Sequence, residues 1–247
     1  MVKEWRLCMK SAGLTDVGMK RQQNQDYLFY SDDKVGALPN LYIVADGMGG
    51  HNAGDIASKT AVESTIEYIK DSGLKNPVTI LRRAIIYANA QVLKLARGNR
   101  AYSGMGTTFV AAVVDEDTLY VANIGDSRLY TIKDDIEQVT MDHSLVEELI
   151  RSGRLDRNKG RNHPEKNIIT KALGIDEEVE PDFFEVRLKP GDKILMCSDG
   201  LSNMIEDDEI KDIVDNSEDI SKACSVLIDQ ANYYGGRDNI SVIIAVR

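Results

Sequence analysis

The sequence predicts an α+β fold in which antiparallel strands and helix pairs occupy separate packed layers. Three observations carry this. Short runs rich in Val, Ile, Tyr and Leu recur along the chain, joined by tight turns. Several of these runs are apolar on both faces, so their sheet must be covered on both sides. The long helical segments come as a pair between strand runs, and do not alternate with single strands as βα units would.

The strand runs are DYLFYS (26–31), LYIVAD (41–46), TTFVAAVVD (107–115), TLYVANIG (118–125), SRLYTIK (127–133), DFFEVRL (182–188), DKILMCSD (192–199) and NISVIIAVR (239–247). Asp- and Gly-containing turns such as VDEDT and IGDS separate neighbours and read as antiparallel hairpins. Residues 53–70 place Ile56, Ala57, Thr60, Ala61, Ser64 and Tyr68 on one helical stripe. Residues 77–97 place Leu81, Ala84, Ile85, Ala88, Val92 and Leu95 on another, with Pro77 as the first helical residue. Further helices are predicted at 144–151, 206–215 and 218–233. No linker or internal repeat divides the chain, so one domain is expected over 1–247. Within it, 153–167 is polar and aperiodic, the signature of a functional, flap-like loop.

The bulk properties exclude several classes. The 247 residues are 43% hydrophobic and 28% charged, an ordinary globular composition. A net charge of -10 repels nucleic acid. Three cysteines, Cys8, Cys197 and Cys224, are too few and odd in number for a disulfide framework and fit a reducing compartment. The start MVKEWR lacks the apolar core of a secretion signal, and the longest apolar run, FVAAVV (109–114), is far short of a membrane span. A soluble cytoplasmic protein is expected, with no membrane partner. One basic segment runs against the overall charge: Arg151, Arg154, Arg157, Lys159 and Arg161 face only Asp156 between 151 and 161. It is either a solvated loop or a flap that meets phosphorylated or acidic substrate.

The chemistry gathers at strand ends. VADGMGG ends a strand run at Asp46 and MCSDG ends another at Asp199. GGRDN places Asp238 just before the last strand, and IGDSR places Asp126 between two strands. Apolar neighbours draw these carboxylates inward, and buried unpaired carboxylates need cations. An all-oxygen set suits Mg²⁺ or Mn²⁺. Zinc is disfavoured by only three histidines, at 51, 143 and 163, and no cysteine pair. Gly47, Gly49 and Gly50 allow a sharp turn after Asp46 and leave room for a substrate. A single Asp-Gly pair is usually only a turn; four aspartates beside glycine or asparagine at strand ends, in one chain, lower that reading sharply.

These motifs resemble the type-2C, metal-dependent protein phosphatases in their compact bacterial form. The matching pieces are TDVGMKRQQNQD (15–26), VADGMGGH (44–51), SGMGTT (103–108), ANIGDSR (122–128), TMDHS (140–144), NHPEKNIITKALG (162–174), ILMCSDGLSNM (194–204) and GGRDNISVI (235–243). They occur in the family's order over nearly the whole chain. The resemblance implies a central β-sandwich of two antiparallel sheets flanked by helix pairs, in α/β/β/α layers. It implies two Mn²⁺ or Mg²⁺ ions at one end, which activate a water to attack a phosphoester. By position, Asp46 would bridge the two metals, the Gly47 carbonyl would bind the first, and Asp199 and Asp238 the second. Asp126 would bind a third, weaker metal, and Asp26 would hold water at the centre from behind. Arg21 would clamp the phosphate and His51 would be the general acid. Gln25 stands where many relatives have Glu, and Asn203 where many have a third-metal Asp. The implied substrates are phosphorylated proteins, and the implied partner is a serine/threonine protein kinase whose marks the enzyme removes.

The parts agree chemically. Divalent cations turn a carboxylate cluster that would repel phosphate into one that binds it. An arginine can pair bidentately with non-bridging oxygens, and a histidine can protonate a serine alkoxide. His143 reads as a packing or turn residue, His163 as a flap residue and Cys197 as core. No Arg stands six residues after a cysteine, which leaves cysteine-phosphatase chemistry without its loop, and GMGG is not followed by the GKS or GKT of a phosphate-binding loop. A catalytically dead binding module of the same fold is the competing reading; the intact Arg21, Asp46, Asp199 and Asp238 set argues against it.

Overall fold

A computed structural model describes residues 9–50, 53–161 and 163–247. Two antiparallel sheets stack face to face. The first has the order β1 (Lys10–Asp16), β11 (Ile240–Val246), β10 (Lys193–Cys197), β7 (Arg128–Ile132) and β8 (Ile136–Gln138). The second has the order β2 (Asp26–Ser31), β3 (Leu41–Met48), β5 (Phe109–Asp115), β6 (Thr118–Ile124) and β9 (Asp182–Arg187), with the short β4 (Gly106–Thr107) on the end of β3.

Strand alternation sends side chains into three cores. On β5, Phe109, Ala111 and Val113 face the helices α1 (Ala53–Asp71) and α2 (Pro77–Gly98). Their neighbours Val110, Ala112 and Val114 face the opposite sheet. On β10, Leu195 and Cys197 pack under α5 (Asp199–Ser202), α6 (Asp207–Asn216) and α7 (Ile220–Tyr233), while Ile194 and Met196 point between the sheets. Runs apolar on both faces are what such doubly covered strands require, and the predicted sandwich with helix layers is the observed one.

Helix starts follow capping chemistry. The Asn76 side chain accepts from Thr79 N at 2.9 Å, with Pro77 first in α2 as expected. Ser144 caps α3 (Leu145–Arg151) through Glu147 N, and Asp219 caps α7 through Lys222 N.

Four details differ from the sequence reading. IGDS is no hairpin: β6 and β7 lie in different sheets, and the turn carries the chain from one to the other. The strands β1 and β8 escaped the reading, because KSAGLTD and IEQ lack β-branched runs and are recruited by their partners β11 and β7. Leu95 is 40% exposed, and Val92 and Ala96 carry the packed side of that turn instead. The 153–167 stretch holds one helical turn, α4 (Arg157–Gly160).

Candidate functional site

The carboxylates meet at one end of the sandwich because of strand parity. Along β3, Tyr42 and Val44 point between the sheets, so Asp46 does too. Asp26 is registered directly opposite Asp46 across β2 and β3. From the other sheet, Asp199 follows β10 and Asp238 precedes β11. Asp126 sits in the turn that crosses between sheets.

Their electrostatics show mutual strain. Burial raises the Asp46 carboxyl well above the ordinary range, and Asp26, Asp199, Asp126 and Asp238 push it further. Burial lifts Asp26 to about 7 and Asp199 to about 6. Asp126 is also raised, by burial and then by Asp199 and Asp142, with Arg128 opposing. Asp26 Oδ1 and Asp199 Oδ1 are buried and have no hydrogen-bond partner. Among the described residues, no three His, Cys, Asp or Glu side chains close into a finished cage. The donor set still fits hard divalent cations, which take one or two carboxylates and fill their remaining positions with water and carbonyl oxygen. The unpaired oxygens and the like charges are what such ions would satisfy.

Gly47 is glycine for a steric reason. A Cβ there would lie 2.0 Å from Gly54 O and 2.6 Å from Gln25 O. The first turn of α1 presses directly on this backbone, so the glycine serves packing as well as the turn. Gly49 takes a φ of 155°. Arg21 reaches back from the 17–25 loop and its Nη2 donates to Asp238 Oδ2 at 2.7 Å. The structure thus brings Arg21, Asp26, Asp46, Gly47, Asp126, Asp199 and Asp238 to one end of the sandwich. His51 lies outside the described residues.

The sequence reading passed over the residues that hold this set. Ser198 Oγ donates to Asp26 Oδ2 at 2.7 Å and accepts from Ser241 N at 3.0 Å. Asn239 accepts from Gln25 N and donates to Val17 O and Gln23 O, fastening the loop that carries Arg21. Thr108 Oγ1 accepts from Asp46 N at 2.9 Å. His143 is the turn residue of its two expected roles: its Nδ1 accepts from Gly125 N at 3.0 Å, and its Nε2 meets Asp182 at 3.1 Å, so it fixes the turn that presents Asp126. The adjoining motifs CSDG, GGRDN and TMDH were the available signals. Asn203 donates to Asp199 Oδ2 at 2.9 Å. Cys197 is fully buried and its thiol is pushed up to about 12, chiefly by burial, as befits a core residue.

The flap is built by its own charges. Arg157 pairs with Glu147, and Arg161 pairs with Glu206 and donates to Ile205 O. No described helix is long and apolar enough to cross a membrane.

Comparison with known proteins gives consistent results. The family described as protein phosphatase 2C matches residues 19–230. The chain is 40% identical over 240 residues to a serine/threonine phosphatase stp of Listeria innocua, covering 94% of each chain. It superposes on serine/threonine phosphatase Stp1 from Staphylococcus aureus with a TM-score of 0.90 at 35% identity, over 97% of this chain and 95% of that one. It also superposes on the catalytic domain of the phosphatase PstP in complex with 2 manganese ions, with a TM-score of 0.85 at 30% identity, over 96% and 97% of the two chains.

Proposed function

The chain belongs to the protein phosphatase 2C family, and we propose how its residues carry out the reaction of a metal-dependent serine/threonine protein phosphatase. Asp46, Asp199, Asp238 and the Gly47 carbonyl would hold two Mn²⁺ or Mg²⁺ ions. Asp126 would hold a third ion more weakly. When bound, the ions supply a nucleophilic water near neutral pH and offset the phosphate's charge.

The chain's own groups do the rest. Asp26, anchored by Ser198, orients water from behind the centre. Arg21 binds non-bridging phosphate oxygens; its ion pair with Asp238 keeps the guanidinium at the rim of the cluster. His51 donates the proton that a serine or threonine oxygen needs as its bond to phosphorus breaks. A serine/threonine kinase is the expected counterpart, and the cytoplasm the expected setting.

The observation that supports this most is the pair of buried carboxylate oxygens without partners, one on Asp26 and one on Asp199, facing a common cluster. Buried carboxylates of that kind are relieved by a proton or by a bound cation, and a cation is what keeps them ionised near neutral pH. The test is phosphopeptide turnover after dialysis against chelator, with Mn²⁺ or Mg²⁺ then restored. Loss and recovery are expected; full turnover in excess chelator would refute the metal chemistry.

A further inference from the structure

A cavity of about 490 Å³ opens beside the carboxylate cluster, between the flap and the start of α6. Asp126 and Asp199 line its inner end. Three of the four cations in its wall have carboxylate partners, while two wall carboxylates, Asp207 and Asp208, have no cationic partner among the described residues. Arg128 holds Asp142 through bonds of 2.7 to 3.1 Å. Arg157 holds Glu147 and Arg161 holds Glu206. Asp207 accepts from the Tyr130 hydroxyl at 3.1 Å. Asp126 and Asp199 belong to the cation centre.

Among the cations of the wall, Lys166 is the one without a carboxylate partner. Its half-buried ammonium forms no ion pair among the described residues, and its hydrogen bond is a long one, 3.4 Å, to the amide oxygen of Asn203. Burial, offset in part by Asp199, and then the like charges of Arg161 and Arg237 hold this amine below the ordinary lysine range. A cation partly stripped of water and set against like charges is stabilised by an arriving anion. It stands over Asn203, whereas the phosphate clamp Arg21 is bound to Asp238. The cluster therefore has one cation for the reacting group and a separate one facing the cavity.

We propose that this cavity receives the residue flanking the phosphorylated serine or threonine, and that Lys166 favours an acidic side chain there. This rests on the phosphoprotein phosphatase reading and names the class of sequence that site prefers. Arg157 and Arg161, already engaged within the chain, shape the cavity wall; the selecting charge is the lysine.

The experiment compares matched phosphothreonine peptides that carry Glu or Gln at each position within three residues of the phosphothreonine, at saturating Mn²⁺. The Glu-to-Gln ratio of kcat/KM is taken on a single protein preparation, so a partly folded variant does not distort it. The wild-type chain should prefer Glu at one or more flanking positions by about five- to tenfold, the scale of one partly shielded ion pair. Lys166→Met should bring that ratio to about one, while Lys166→Arg should keep most of it. Equal rates on the wild-type chain, or a preference that survives Lys166→Met, overturn the inference alone. A rise in the inhibition constant for inorganic phosphate that matches the peptide loss in Lys166→Met also overturns it, by moving Lys166 onto the reacting group. No turnover of any phosphopeptide by the wild-type chain overturns the phosphatase reading as well.

Discussion

Asp26 and Asp46 are direct cross-strand partners, two carboxylates facing each other at the open end of the sandwich. Like charges so placed oppose strand pairing. Ser198 satisfies one oxygen of Asp26, and the other has no partner. The pair opposes the metal-free fold, and bound cations would relieve it.

Asp46→Asn should therefore separate stability from activity. In chelator the variant should melt higher than wild type, by an amount on the order of 1 kcal/mol or about 2–4 °C. With Mn²⁺ its phosphopeptide turnover should fall by roughly 100-fold or more if the Asp46 carboxylate holds the metals as proposed. Differential scanning fluorimetry in chelator, beside a turnover assay, checks both. A variant that melts lower and still turns over normally would remove Asp46 from the centre.

The same cluster sets a pH dependence for the metal-free protein. Asp26 near 7 and Asp199 near 6 both lie above the ordinary carboxylate value of 3.8. Between those values the folded chain holds more protons than the unfolded chain, so stability falls as pH rises. The contribution is complete below about pH 4 and is lost through pH 6 to 7. In chelator the melting temperature should decline from pH 5 to pH 8, and added Mn²⁺ should raise it more at pH 8 than at pH 6. A melting temperature that climbs over this interval in chelator would contradict the assignment.

Gly47→Ala should damage the fold where Gly50→Ala does not. The added methyl at 47 meets two carbonyl oxygens at 2.0 and 2.6 Å, whereas at 50 none of the described residues lies within 4 Å. Overpacking of that severity costs about 3 kcal/mol or more, against less than about 0.5 kcal/mol for an open surface site. Urea denaturation in chelator measures the difference free of any metal effect. Equal stabilities would mean that α1 does not press on this backbone.

His51→Gln should lose activity unevenly if the imidazole is the proton donor. A serine or threonine alkoxide leaves poorly unless protonated, while nitrophenolate leaves unaided. Phosphopeptide turnover should drop by about 10²- to 10⁴-fold, and nitrophenyl phosphate turnover much less. Assays of both esters across a Mn²⁺ titration decide it. Parallel losses that excess metal repairs would assign His51 to ordering the loop after Gly50.

What the sequence determined by itself was local or carried in contiguous motifs. Doubly apolar runs such as FVAAVV gave strands covered on both faces, and the 3.6-residue stripe from Leu81 to Val92 gave the buried face of α2. Asp46, Asp126, Asp199 and Asp238 were legible because each lies beside glycine or asparagine at the end of an apolar run. What only the tertiary structure decided depends on register and on partners far along the chain. Asp26 became the neighbour of Asp46 through strand pairing. IGDS looked like a hairpin, yet its strands joined different sheets, because local turn chemistry does not say which partner a strand will find. Ser198, Asn239 and His143 gained their roles through hydrogen bonds to residues 172, 214 and 18 positions away. The basic flap read as one patch, but ion pairs within the chain engage Arg157 and Arg161 and leave Lys166 facing the cavity. Charge in a sequence can be counted residue by residue; which charges remain for a substrate is settled only when the fold brings their partners together.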